Sequence, residues 1–153
     1  MRTMLVVGLA VGFCATSSSA GPQDDPVPAE VKNLQGPWVE PRAWAKGQQG
    51  RGGYYSWVFE EERVGFYHTT TIDGEAAARS GHGGTYKLDP TAKPKAIDVV
   101  MKGRGGKEQT LLGIYELNGD TLKLCIAWEG GQRPATFESS GTTRLYVLKK
   151  PPE

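Results

Sequence analysis

Apolar and polar residues alternate most cleanly between Leu111 and Trp128, where two such runs meet at Asn118-Gly119. A two-residue Asn-Gly loop favours a type I′ turn, because both central residues then need φ > 0. That turn predicts Leu117 opposite Asp120, with Tyr115 facing Leu122, Gly113 facing Leu124 and Leu111 facing Ile126. The hairpin then has one oily face, which demands a covering sheet or a closed barrel, since a lone hairpin is barely stable in water. Leu112 and Ile114 fall on its other face, where a loop or a partner chain would have to cover them.

The same period recurs along the chain. Short β-like runs are predicted at 38–45, 54–59, 64–71, 84–88, 96–102, 110–117, 121–128 and 143–148, with an extra piece near 135–138. Tyr55, Trp57 and Phe59 alternate with Tyr54, Ser56 and Val58, and Ile97, Val99 and Met101 with Ala96, Asp98 and Val100, as in a sheet with one wet face. Glycines at 46–53, the turn Glu60-Glu61-Glu62, a longer connection at 73–83 and the corner Asp89-Pro90 with Lys93-Pro94 separate the runs. The links are too short for parallel crossovers, so the strands are predicted antiparallel. About eight of them can close on themselves, which removes exposed edges and makes an all-β barrel. Before them, residues 28–35 predict a short helix that would plug one end: Pro28 stands near its first position, Glu30 in its first turn, Val31 and Leu34 on one face, and Gly36 ends it.

Composition adds a compartment. Residues 1–20 read as a secretory signal, with Arg2 at its start, an apolar run over 4–15 and a small-residue cleavage site at Ser18-Ser19-Ala20. That run is too short to span a bilayer. The chain is therefore expected to be exported, to the periplasm or beyond, with a flexible leader and short helix at 21–33 and a barrel domain at 34–150. Lipidation at Cys14 is disfavoured because a lipoprotein signal wants a small residue where Phe13 stands. The 153 residues hold 18 basic and 17 acidic side chains, and losing Arg2 makes the two equal. A neutral chain lacks the basic surplus that nucleic-acid binding needs, and after signal cleavage no integral membrane segment is expected. With Cys14 in the signal, Cys125 stands alone, so no intrachain disulfide can form and the core must carry the stability.

Candidate chemistry is sparse. His68 is in phase with Val64 and Phe66 and so points inward, whereas His82 sits among glycines. Neither has the spaced companions a zinc site requires, and no metal or cofactor is expected. Cys125 shares its neighbourhood with apolar residues and no base, which makes it a small hydrophobe rather than a nucleophile. The adjacent glutamates at 60–62 cannot face each other across a substrate, and 102–107 lacks the spacing of a phosphate loop. No catalytic motif emerges. The aromatics Trp57, Phe59, Phe66, Tyr86, Tyr115 and Trp128 all fall on the inner face. An eight-stranded barrel is of the size that is either filled by its own side chains or holds one small ligand, and bulky rings serve both.

Two blocks, Gly84-Thr85-Tyr86-Lys87-Leu88-Asp89-Pro90 with Lys93-Pro94-Lys95-Ala96-Ile97-Asp98, and Gly113 through Cys125, resemble the signature of a planctomycete family of secreted, uncharacterised domains. Leu34-Gln35-Gly36-Pro37-Trp38 resembles that family's opening, and Arg133-Pro134 with Leu148-Lys149-Lys150 its close. The resemblance implies a lipocalin-like, calycin-type up-and-down barrel, in which Gly36-Pro37-Trp38 matches the G-x-W opening. It further implies that Trp38 packs across one end and that a basic residue of the last strand, by position Arg144, lies over the indole. The family brings no established activity or cofactor. The expectation is a barrel that binds a small, partly apolar ligand in a lumen lined by Trp57, Phe59, Phe66, His68, Tyr86, Tyr115 and Trp128. The alternative is a protein-interaction or structural module with a solid core.

Overall fold

The computed structural model describes residues 29–44 and 49–152, apart from the side chain of Arg104. The signal at 1–20 with Cys14, the leader to Pro28 and part of the 46–53 loop lie outside the described residues. Eight strands follow one another: β1 Gly36–Val39, β2 Arg51–Glu60, β3 Arg63–Ile72, β4 Glu75–Asp89, β5 Ala96–Lys102, β6 Glu108–Asn118, β7 Thr121–Ala127 and β8 Thr143–Lys149. Each pairs antiparallel with the next, and β8 returns to β1 through Val39 opposite Lys149, so the sheet closes as an up-and-down, lipocalin-like barrel. A single short α-helix, α1 Ala29–Leu34, precedes it.

Alternation explains the core. Trp38, Trp57, Phe59, Tyr115, Tyr146 and Leu124 point inward and are almost wholly buried, each on the parity that its strand assigns to the interior. The wall behind them is also covered in one sector. Residues 129–142, between β7 and β8, fold over the outer faces of β5, β6 and β7, and there Ile114, Cys125 and Ala127 are buried. Arg133 pins this segment: Nη1 donates to the carbonyls of Ile97 (3.1 Å) and Gly113 (2.7 Å), and Nη2 to Asp98 (2.5 Å). Cys125 Sγ donates to the Glu138 carbonyl at 3.4 Å, and Ser139 Oγ accepts from the Leu145 amide at 2.9 Å. A loop, rather than a partner chain, thus covers Ile114.

Four sequence expectations need correction. In the β6–β7 hairpin Asn118 lies opposite Thr121, Leu117 opposite Leu122 and Tyr115 opposite Leu124, two residues away from the predicted register. The turn residues are Gly119 and Asp120, and Gly119, at φ 58, occupies the first central position, where a type II′ turn wants glycine. Because the shift is even, the same side chains still face inward. The connection at 73–83 is mostly strand: Asp73 (φ 48) and Gly74 (φ 85) make a tight turn and β4 starts at Glu75. β1 stops at Val39, and a 3-10 turn over Pro41–Trp44 follows, where proline's fixed φ and missing N–H suit a first helical position. Residues 135–138 form no strand but belong to the covering segment.

Candidate functional site

The helix closes one end of the barrel. Leu34 is buried in the core, and the Trp38 indole N–H donates to its carbonyl at 2.7 Å. Gln35 ties helix to wall: its Nε2 donates to Tyr86 OH (3.0 Å), its Oε1 accepts from the Glu61 amide (2.6 Å), and Tyr86 OH donates to the Glu61 carbonyl (2.8 Å). Glu30 accepts from Lys95 Nζ and from Tyr115 OH. The Lys95 ammonium and the Tyr115 hydroxyl together hold the Glu30 carboxyl below its ordinary range. Burial, with the Glu30 hydrogen bond behind it, pushes the Tyr115 phenol upward. The cation over Trp38 is Lys150, whose Nζ stands 5.2 Å from the ring centroid. Arg144 does not reach Trp38. It lies nearer the other end of β8, with its guanidinium 4.3 Å over the ring of Tyr55. The physical reason is the short closing seam, which brings the end of β8 rather than its start beside β1.

Between the ends, the rings pack on one another. Trp57 stacks on Phe59 (6.4 Å between centroids), Phe59 meets Tyr86 edge-on (5.0 Å), and Phe66 contacts Trp57 (4.8 Å) and Trp128 (5.2 Å). Trp57, Phe59, Tyr86 and Tyr115 are buried, whereas Phe66 and Trp128 are half-buried. Edge-to-face and offset contacts at these separations are what aromatic packing favours. The clefts that stand out among the described residues lie on the outer wall and at the ends.

The opposite end, the mouth, collects the remaining sequence candidates together with two residues that the aromatic set omitted. Tyr55 sits against Phe66 (5.4 Å, near parallel), His68 (4.8 Å) and Tyr146 (5.8 Å, edge-on). Arg144 covers Tyr55 and donates to its hydroxyl at 3.3 Å. Among the described residues Arg144 has no carboxylate partner. Among the described residues the buried Trp57 indole N–H has no acceptor in hydrogen-bonding geometry, and the Trp128 N–H faces the Tyr146 hydroxyl closely enough to oppose the rise of its pKa. Burial raises the Tyr146 hydroxyl strongly, with the nearby Arg144 charge opposing it. A cleft of about 450 Å³ opens on the far side of Arg144, lined by Trp128, Glu129, Arg144 and residues 139 and 141–143, and not by Tyr55, Phe66 or His68. His82 lies opposite Phe66 on β4 and is exposed. Tyr146 was legible from its phase with Arg144 and Leu148, and Tyr55 from its phase with Trp57.

Chemically, the mouth offers a cluster of aromatic rings and, among the described residues, a guanidinium that no carboxylate pairs. Cys125 is on the outer wall, where burial pushes its thiol up and away from the reactive thiolate. Among the described residues no three His, Cys, Asp or Glu side chains are grouped to hold a metal ion, and no helix is long and apolar enough to cross a membrane. Compared with protein-family profiles, with curated proteins and with solved structures, the chain matches none.

Proposed function

We infer that this chain is an exported binding domain that takes a small, partly apolar molecule with an anionic or strongly accepting group, at the mouth of the barrel. The observation that carries this reading is the Arg144 guanidinium, stacked 4.3 Å over Tyr55 and without a carboxylate partner among the described residues. A cation so placed keeps free donors while the ring beneath it holds its plane, a geometry suited to a carboxylate or sulfonate. Tyr55, Phe66 and Trp128 would meet the apolar part of the molecule. The deeper rings, Trp57, Phe59, Tyr86 and Tyr115, act in this reading as a floor rather than as walls of a lumen. Membership of the planctomycete family of secreted domains is part of the same proposal, supported by the blocks at 84–98 and 113–125.

The test is a titration of the mature chain with anilinonaphthalene sulfonate and with a neutral analogue of equal apolar area, read by tryptophan fluorescence. Saturable binding of the anion is expected, weakened about 10-fold or more by Arg144→Gln, as for the loss of one charge-assisted hydrogen bond. Equal binding of both probes, or none, overturns the site. A second reading, a solid interaction module without a ligand, draws on the ring-to-ring packing of the interior. Absence of any saturable probe would favour it. Mass spectrometry of the exported protein should find an N-terminus at Gly21.

A further inference from the structure

Two residues of opposite charge border one cleft without pairing. Glu129 and Arg144 both line the cleft of about 450 Å³ beside the mouth, and Trp128, Ser139, Thr142 and Thr143 complete its wall. Both charges are exposed, and among the described residues neither belongs to an ion pair.

Each is held from its own side. Residues Trp128 to Gly131 make a tight turn: the Gly131 N–H donates to the Trp128 carbonyl at 3.1 Å, and Glu129 (φ 56) and Gly130 (φ 75) both take the left-handed conformation of a type I′ turn. The Trp128 N–H donates to the Thr142 carbonyl at 2.9 Å, which ties this turn to the segment before β8. From β6, the Gln109 side-chain oxygen accepts from the amides of Glu129 (3.1 Å) and Gly130 (3.2 Å). Arg144 is held by Tyr55, whose ring backs the guanidinium at 4.3 Å and whose hydroxyl accepts from Nη1 at 3.3 Å. The carboxylate that touches the Tyr55 backbone, Glu40, accepts from the Tyr55 amide (2.8 Å) and pairs with Arg42 (2.6 Å), so it does not neutralise Arg144. A guanidinium carries five N–H donors, and the Tyr55 hydroxyl takes one of them.

We propose that this cleft binds a small zwitterion, an α-amino acid with an apolar side chain, whose carboxylate meets Arg144, whose ammonium meets Glu129 and whose side chain packs on Trp128. The inference rests on the anion site at Arg144 and adds to it the second charge and the place of the apolar group. An α-amino acid carries both charges on one carbon and so answers two opposite charges around one space. A simple anion is repelled by Glu129, and a simple cation by Arg144, which is how a pair of fixed charges selects. The carboxylate suits the guanidinium fork, and the three N–H groups of the ammonium suit the Glu129 carboxylate and the hydroxyls of Thr142 and Thr143. Half-buried Trp128 offers the apolar contact. Small-molecule clefts span about 300–1,000 Å³, and one near the lower bound fits a single amino acid rather than a peptide.

Isothermal titration of the mature chain tests this with L-leucine and L-phenylalanine, with their N-acetyl forms, which lack the ammonium, and with isopentylamine and phenethylamine, which lack the carboxylate. At least one of the two amino acids should bind about 10-fold or more tightly than either of its singly charged analogues, as for the loss of one charge-assisted contact. Glu129→Gln should weaken the amino acid about 10-fold and tighten its N-acetyl form, because a repelling charge has gone; a merely structural role would move both the same way. Should that variant fail to fold, the comparison of ligands on the unmodified chain still decides. No binding of either amino acid, binding no tighter than that of the N-acetyl form, or a folded Glu129→Gln chain in which both ligands shift alike overturns the proposal. If anilinonaphthalene sulfonate then still binds through Arg144, the anion site stands and the zwitterion alone falls; if it does not, both fall together.

Discussion

At the scale of single residues, the polar groups that bind helix to barrel are few and individually consequential. Trp38 fills the closed end and spends its only donor on the Leu34 carbonyl. Trp38→Phe keeps a ring but orphans a buried carbonyl, so a loss of about 1–3 kcal/mol is expected in urea unfolding. Trp38→Ala adds a cavity, and about 3–5 kcal/mol is expected. Glu30 makes a pH prediction. Its carboxyl is held below the ordinary range by Lys95 and then Tyr115, so the folded state binds its proton less readily than the unfolded chain does. The stabilisation is complete above the ordinary carboxylate value near 4.3 and fades as pH falls through the lower folded value. The melting temperature of the unmodified chain should therefore exceed that of Glu30→Gln at pH 7, and the gap should close in acid. A gap independent of pH would mean that the Glu30 charge contributes nothing. Cys125, buried and raised, should react with a thiol reagent at pH 8 only as fast as the chain opens.

At the scale of elements, parity was legible and register was not. Each of the eight strands overlaps, at least in part, a stretch the apolar alternation marks, because burial of one face is a property every second residue reports. Register depends on which two residues turn, and Asn118-Gly119 and Gly119-Asp120 both satisfy the preference for glycine at positive φ. The extent of β4 was hidden for a related reason: Ala76, Ala77, Gly81 and Gly83 carry no alternation, so the Asp73-Gly74 turn was the sole signal. Position along a strand cannot say which end meets β1, and so Arg144 stood in for Lys150. His68 and the inner rings were readable as facing inward, but whether they enclose space depends on volumes that no pattern encodes. The segment 129–142 shows what a single side chain does for an element. It has no regular strand of its own, and Arg133 links it to Ile97, Gly113 and Asp98. Arg133→Met should accelerate hydrogen exchange and proteolysis across 129–142 and cost about 1–3 kcal/mol, and Arg133→Lys should not restore it, since one ammonium cannot span both carbonyls and the carboxylate.

At the scale of the whole molecule, the barrel is closed unequally. β2 and β3 pair over ten positions and β7 with β8 over seven, whereas β1 meets β8 only through Val39 and Lys149. Closure in this sector rests on what lies inside and beneath it: Trp38 in the core, its bond to α1, and the helix itself, anchored by Glu30 and Gln35 to the β2–β3 turn, β4, the β4–β5 connection and β6. A seam held by side chains rather than by a ladder should open before the rest of the barrel does, because local opening costs least where few backbone bonds and contacts must break. Native-state hydrogen exchange should thus release the amides of Val39 and Lys149 first, and the central amides of β6 and β7, bonded on both sides and covered by the 129–142 segment, last. Trp38→Phe should bring the seam closer to the exchange of an open edge while leaving β6 and β7 at the protection set by global unfolding. If instead all these amides exchanged with one free energy, in both chains, the seam would be as cooperative as the ladders and the helix would not be what closes the barrel.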